Sequence, residues 1–296
     1  MQYVPKGILP AVVTPLTPEG RVSEKGLRKL VNYLIEGGIH GLFVVGTTGE
    51  FYGLSLQEKK VVVEIAMDEA KGRVPTMVGT GAITTRECIL LNEMAEECGA
   101  DAVSVLTPMF INPSQEELYR HYKTIAGNTG LPVLLYNNPS KTGVNIAAAT
   151  AARLAEIPNI RGIKDSSGDL TLTGEYIRMN REKDFSVLGG RDTLIHACLC
   201  YGGSGAIAAT ANVAPRLCAD IYDKYMAGDL QGSLEAQFSL APLRVAFSLG
   251  TFPTVIKEAL GLLGIDAGPC LAPVGTMSPS EKEKLRQILE GMGLLG

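Results

Sequence analysis

A closed (β/α)8 barrel with a C-terminal helical extension, an α/β fold, is what the sequence predicts, and three observations predict it. Eight short β-rich apolar runs recur along the chain, amphipathic stretches with helix-start signals separate them, and strand signals stop after about residue 224. The first run, residues 7–16, precedes a helix opened by Ser23. The second, 41–47, precedes one opened by Ser55, and the third, 75–80, one opened by Thr84 or Thr85. The fourth, 102–106, leads to Ser114, where Glu117 three residues on completes a capping box. The remaining runs are 132–136, 160–164, 185–189 and 205–210. Near-continuous hydrophobicity in Leu42-Phe43-Val44-Val45 and Val133-Leu134-Leu135 suits strands covered on both faces, as in a parallel sheet wrapped by helices. An open dinucleotide-binding sheet is disfavoured: Gly79-Thr80-Gly81 lacks its third glycine, and Gly202-Gly203-Ser204-Gly205 precedes a strand. The predicted organisation is therefore a barrel over 1–224 and a three-helix extension over 225–296, its helices at 229–248, 253–263 and 280–292. The apolar content of that extension suits packing on the barrel or on another subunit.

Composition bounds the function. The chain has 296 residues, 46% of them apolar, 20% charged and 6% aromatic, which supports a full core and excludes disorder. Twenty-seven Lys and Arg stand against 31 Asp and Glu, a net charge of −4 without basic clusters, so no nucleic-acid partner is expected. Residues 1–10 lack the apolar core of a signal peptide, and no apolar run is long enough to span a bilayer. No membrane association is expected, and the expected location is cytoplasmic. Cys88, Cys98, Cys198, Cys200, Cys218 and Cys270 are spread too widely for a disulfide framework, and Cys198-Leu199-Cys200 has no second ligand pair at metal spacing. His40, His121 and His196 are equally scattered. No metal is expected, and these histidines read as structural.

Barrel chemistry sits at the C-terminal ends of strands. There the sequence places Gly46-Thr47-Thr48-Gly49-Glu50, Tyr136-Asn137-Asn138-Pro139-Ser140-Lys141-Thr142-Gly143, Gly162-Ile163-Lys164-Asp165-Ser166-Ser167-Gly168 and Gly189-Gly190-Arg191-Asp192. Lys164 ends an apolar strand, with Gly162 on the same face leaving room for a long side chain in the barrel mouth. A poorly solvated lysine amine can attack a ketone to form an imine, an electron sink for making or breaking an adjacent carbon–carbon bond. The alternative is a strand-end lysine paired with Asp165 or another carboxylate. Tyr136 shares an inward face with Leu134, and its phenol can relay protons with Thr47 as neighbour, or simply be a core ring. Gly46 and Gly49 permit close backbone approach to a carboxylate, though a glycine-rich turn explains them equally well. The glycines after strand seven and before strand eight offer a sugar-phosphate site as an alternative, without an accompanying lysine.

Four ordered motifs carry a resemblance: Gly-Thr-Thr-Gly-Glu at 46–50, Tyr-Asn-x-Pro-Ser-x-Thr-Gly at 136–143, Gly-Ile-Lys-Asp-Ser-Ser-Gly-Asp at 162–169 and Ala-Ile-Ala-Ala-Thr-Ala-Asn at 206–212. In order and spacing they resemble the dihydrodipicolinate synthase / N-acetylneuraminate lyase family. The resemblance implies pyruvate chemistry through a lysine imine, without metal or organic cofactor, in a homotetramer built as a dimer of dimers. It implies Lys164 as the imine-forming lysine, Tyr136 as proton relay and Thr47 as its partner. Thr48 is implied to help bind the pyruvate carboxylate, and Ile207 to present a backbone carbonyl near the imine. Glu50 matches the motif glutamate, with no catalytic role assigned.

Two departures bear on the reaction. Where the synthases of this family supply a tyrosine to a neighbouring subunit's relay, Thr107-Pro108-Met109-Phe110 places Phe110, and where they carry a carboxylate-gripping arginine this chain has Lys141. Lysine keeps the charge and loses the bidentate fork. After strand seven, Gly190 precedes Arg191 and Asp192, which with Lys141 are expected to line a distal pocket favouring a polar or acidic aldehyde. An Arg191–Asp192 surface pair is the alternative. The expected function is a class I aldolase or lyase joining pyruvate to an aldehyde, or cleaving a 2-keto-3-deoxy acid to release it. Alternatives are an authentic synthase condensing pyruvate with aspartate semialdehyde, and a keto-acid sensor that has lost turnover.

Overall fold

A computed structural model of the chain describes residues 3–295. Its eight strands are β1 (Gly7–Pro10), β2 (Leu42–Val44), β3 (Thr76–Gly79), β4 (Ala102–Leu106), β5 (Val133–Asn137), β6 (Ile160–Asp165), β7 (Ser186–Gly189) and β8 (Gly205–Ala208). All pair in parallel in the order β1-β8-β7-β6-β5-β4-β3-β2. A parallel bridge between Ala11 and Phe43, with the Val12 N–H donating to Phe43 O at 2.9 Å, closes β1 onto β2. The predicted barrel is therefore present, and each strand falls within or beside a predicted run.

Around it lie α1 (Glu24–Glu36), α2 (Leu56–Ala70), α3 (Thr85–Glu97), α4 (Gln115–Ala126), the single turn α5 (Pro139–Thr142), α6 (Ala148–Leu154), α7 (Leu170–Asn180), α8 (Ile195–Cys200) and α9 (Pro215–Met226). Ser23, Ser55, Thr84 and Ser114 are the N-caps of the first four, and Ser55–Glu58 and Ser114–Glu117 form capping boxes. Beyond α9 come α10 (Leu230–Ala246), α11 (Thr254–Leu262) and α12 (Pro279–Gly291). The extension grips the barrel near the β7 end: Gln237 of α10 donates to Asp192 O at 2.8 Å and accepts from the His196 N–H at 3.0 Å. Among the described residues, no single helix is long and apolar enough to cross a membrane.

Strands β1, β2 and β8 are shorter than expected, each for a local reason. Pro10, which closes β1, and Pro15 beyond it lack N–H groups for a continued ladder. β2 stops because Val45 turns left-handed, with φ of 56°. β8 stops where the Ala209 and Thr210 N–H groups leave the sheet to donate to the Asp192 carboxylate at 3.2 and 3.0 Å.

The larger apolar core fills the space between strands and helices. A second cluster, Leu9, Ala11, Phe43, Met77, Ala102, Leu134, Leu188 and Ile207, plugs the barrel interior below its C-terminal mouth. Alternation on β5 and β6 points Leu134, Tyr136, Gly162 and Lys164 inward, and their register pairs Leu134 with Gly162 and Tyr136 with Lys164. The register thus sets the phenol beside the amine. Gly162 serves a different purpose from the one expected: a Cβ there would lie 2.4 Å from Ser186 O. Its hydrogen side accommodates the β7 backbone, so it does not make room for Lys164.

Candidate active site

At the C-terminal mouth opens a cavity of about 430 Å³, lined by Thr47, Thr48, Tyr136, Asn138, Lys141, Lys164, Ser166, Gly190, Arg191, Asp192, Ile207 and Arg244 among others. Every residue singled out from the sequence as catalytic or substrate-binding lies on its wall. Lys164 is buried at 4% exposure, and its Nζ sits 4.2 Å from the Tyr136 ring centroid and 4.8 Å from that of Phe43. Among the described residues no carboxylate pairs with it. Asp165, the alternative partner, faces the other way and accepts from the Ser167 N–H, Ser167 Oγ, Thr173 Oγ1 and Asn137 Nδ2. The amine is thus sheltered by two aromatic rings and left free to bond to a ligand in the cavity.

The Tyr136 hydroxyl lies 3.4 Å from Thr47 Oγ1 and accepts from Asn138 Nδ2 at 3.1 Å. Burial pushes the phenol up, but the Lys164 ammonium and hydrogen bonds with Thr47, Asn138 and Ser166 outweigh it and hold the group below its ordinary value of 10.0. A phenol poised in that direction is suited to moving a proton.

Thr47 and Thr48 ride on a tight turn after β2. The Phe51 N–H donates to Gly46 O, the Glu50 N–H donates to Thr47 O, and both Val45 and Glu50 have positive φ, 56° and 58°. A β-branched residue in that region is strained and persists only where its surroundings fix it. Gly79 of the neighbouring strand makes this possible, because a Cβ there would lie 2.3 Å from Val45 O. Gly79→Ala is expected to push the turn outward, destabilising the fold by about 1–3 kcal/mol. A fall in melting temperature together with impaired turnover checks this; unchanged melting excludes it.

Gly190 is needed for close approach, since a Cβ would meet Ser166 Oγ at 2.1 Å. Asp192 lines the cavity but does not pair with Arg191. It is 3% exposed, both carboxylate oxygens accept backbone N–H groups, and Arg244 Nε approaches Oδ2 at 4.0 Å. The surface-pair alternative therefore fails. Burial, the largest influence, raises the Asp192 carboxyl against those N–H groups and Arg244. Arg191 and the exposed Lys141 have no carboxylate partner among the described residues, so two uncompensated cations and Arg244 line the wall of one cavity.

Sequence reasoning missed Asn138, Ser166, Arg244, Phe43 and Phe252. The first two stood inside the quoted motifs, and hydroxyl and amide side chains there were the available signal. Arg244 comes from α10, which no strand-end pattern marks. The histidines are occupied elsewhere: His40 by the Ile8 N–H and Asp223, His121 by Thr85, His196 by Ser233 and Cys200. Phe110 stands on the loop after β4 with φ of 73° and 94% exposure, and it does not line its own chain's cavity.

A closed parallel barrel with a buried lysine in its mouth, flanked by a phenol hydrogen-bonded to a threonine, defines the class of barrel enzymes built to work through a lysine imine. More narrowly, the chain belongs to the dihydrodipicolinate synthetase family, whose model matches residues 4–292. It is 40% identical to a 4-hydroxy-tetrahydrodipicolinate synthase of Thermodesulfovibrio yellowstonii, over 98% of this chain and 99% of that one. It is 39% identical to one of Methanopyrus kandleri, over 100% and 99%. A dihydrodipicolinate synthase structure from Thermotoga maritima superimposes with a TM-score of 0.96 at 35% identity, covering 99% of this chain and 100% of that one. YagE of E. coli K12, solved in complex with pyruvate, does so with 0.95 at 33%, covering 98% of this chain and 99% of that one.

Proposed function

We propose that the chain is a pyruvate-dependent class I lyase that makes or breaks a carbon–carbon bond through an imine at Lys164. One observation carries this: a buried amine without a carboxylate partner, beside a phenol held below its ordinary range and bonded to Thr47. In the cleavage direction, the amine attacks the substrate ketone and water leaves as the imine forms. Tyr136, with Thr47, takes the proton from the hydroxyl on the carbon to be released. The carbon–carbon bond breaks, its electron pair moves into the iminium to give the enamine, and the aldehyde departs. Protonation of the enamine carbon and attack by water then release pyruvate and restore Lys164. Thr48 and the turn backbone hold the pyruvate carboxylate. No step calls for a metal or an organic cofactor. Borohydride reduction with pyruvate, followed by peptide mass analysis, tests the first step; an unmodified Lys164 in folded protein rejects it.

The cations at the cavity wall favour an aldehyde carrying an anionic group. Arg191→Ala is expected to raise KM for that substrate about 10- to 100-fold, the scale of one charged hydrogen bond, while half-saturation by pyruvate in borohydride trapping stays unchanged. If both constants hold, Arg191 does not select the substrate. A second reading, condensation of pyruvate with aspartate semialdehyde, is favoured by the names of the relatives. Phe110 and Lys141 are the departures it must tolerate, and turnover of that aldehyde against a 2-keto-3-deoxy acid separates the two. A trapped adduct without turnover on any aldehyde marks a sensor instead.

We also propose a cytoplasmic homotetramer of paired dimers. Phe110, left in water at 94% exposure beside the half-exposed Ile111, supports a covering subunit. Sedimentation velocity of the intact chain checks the assembly.

A further inference from the structure

Glu50 closes the turn that carries Thr47 and Thr48, and the chemistry above gives it nothing to do. Its side chain is wholly buried, and Oε1 meets Lys257 Nζ of α11 at 2.6 Å, the lysine being only 2% exposed. The other oxygen accepts the Leu271 N–H at 2.6 Å, and Lys257 also donates to Pro269 O at 2.7 Å. Each partner therefore belongs to the C-terminal extension, on α11 or the segment following it. Thr14 Oγ1 holds the turn from the barrel side by donating to Gly49 O at 2.7 Å.

Stability alone does not account for this pair. Removing two charges from water is unfavourable, and apolar side chains of similar volume would fill the space as well or better. What an apolar pair lacks is direction. Glu50 sits in a left-handed conformation that a glutamate does not favour, and a carboxylate fixed by an ion pair at one oxygen and a backbone hydrogen bond at the other specifies where its backbone lies. Three residues upstream is the threonine that touches the Tyr136 hydroxyl.

We propose that Glu50 and Lys257 are positioning residues: a clasp through which the C-terminal extension sets the Thr47 and Thr48 hydroxyls for the reaction at Lys164. This rests on the reading that Lys164 binds pyruvate as an imine. The test uses the full chain and pyruvate alone. One measurement is borohydride trapping at Lys164; the other is deuterium exchange from D2O into the pyruvate methyl group, which follows imine–enamine proton transfer by NMR. If the wild type forms no adduct, the site reading has failed, and the clasp is refuted with it. If it does, the E50Q/K257M double variant, which removes both charges together, is expected to be trapped fully at saturating pyruvate. Its exchange rate is expected to fall about 10- to 100-fold, as misplacement of a reacting group does, with half-saturating pyruvate raised several-fold. Exchange and half-saturation both within about twofold of wild type would reduce the pair to a structural staple. If the double variant does not fold, Leu271→Pro, which keeps both charges and removes one N–H, is read by the same two measurements with a smaller expected loss. Failure of both variants to fold would assign the pair to folding and overturn the proposal.

Discussion

Lys164→Met is expected to abolish the borohydride-trapped pyruvate adduct and to lower turnover by roughly 10^4-fold or more, the scale seen when a nucleophile is removed from a site that otherwise still binds. Methionine matches the lysine in length and lies among the rings of Phe43 and Tyr136, so the substitution introduces no cavity. The ammonium it removes has no carboxylate partner among the described residues, and a buried, unpaired charge is unfavourable. Melting temperature is therefore expected to stay level or rise, which separates loss of chemistry from loss of fold. A second consequence follows for Tyr136. Burial is the largest influence on its phenol and pushes it up; with the Lys164 charge gone, less opposes that push. Spectrophotometric titration of the variant is expected to place the phenol higher than in the wild type. Persistence of the adduct in Lys164→Met, at another lysine such as Lys141, would overturn the assignment of the nucleophile.

The strand-end motifs made the Tyr136–Lys164 side of the cavity legible because strand alternation is local: once β5 and β6 are placed, Tyr136 and Lys164 must face inward, and parallel register brings them abreast. The family resemblance supplied expectations that alternation does not, namely the parts assigned to Thr48 and to the Ile207 carbonyl. Less was legible wherever a residue's role depends on a partner distant in sequence. Arg244 reaches the cavity only because α10 folds back over the β7 end, and Gln237 of the same helix helps hold it there. Asp192 looked like a ligand-facing acid, but two backbone N–H groups 17 and 18 residues away consume its oxygens. Gly162 was read against its own strand, whereas the constraint comes from Ser186 on the next. Glu50 was legible as a motif residue and illegible as a partner of Lys257, which lies more than 200 residues further on.

Tyr136→Phe is expected to lower kcat by about 10^2- to 10^4-fold, the range for removing a positioned acid–base group. The ring remains to pack beside Lys164 and Phe43, so the cavity keeps its shape. What is lost is the oxygen that meets Thr47 Oγ1 and accepts from Asn138 Nδ2, leaving both groups without that partner. Imine formation is expected to survive, because the amine and the turn that carries Thr48 are untouched, so Lys164 stays trappable at saturating pyruvate although more slowly. The pH profile distinguishes a proton carrier from a packing residue. In cleavage the phenol must accept a proton, so in the wild type kcat is expected to rise with pH along a limb whose midpoint lies below 10.0, since the phenol is lowered from that value. That limb is expected to vanish in Tyr136→Phe. A variant that keeps kcat within about tenfold of wild type and retains the limb would assign proton transfer to another group, with Thr47 and bound water the first to test, and would leave Tyr136 as a wall of the cavity.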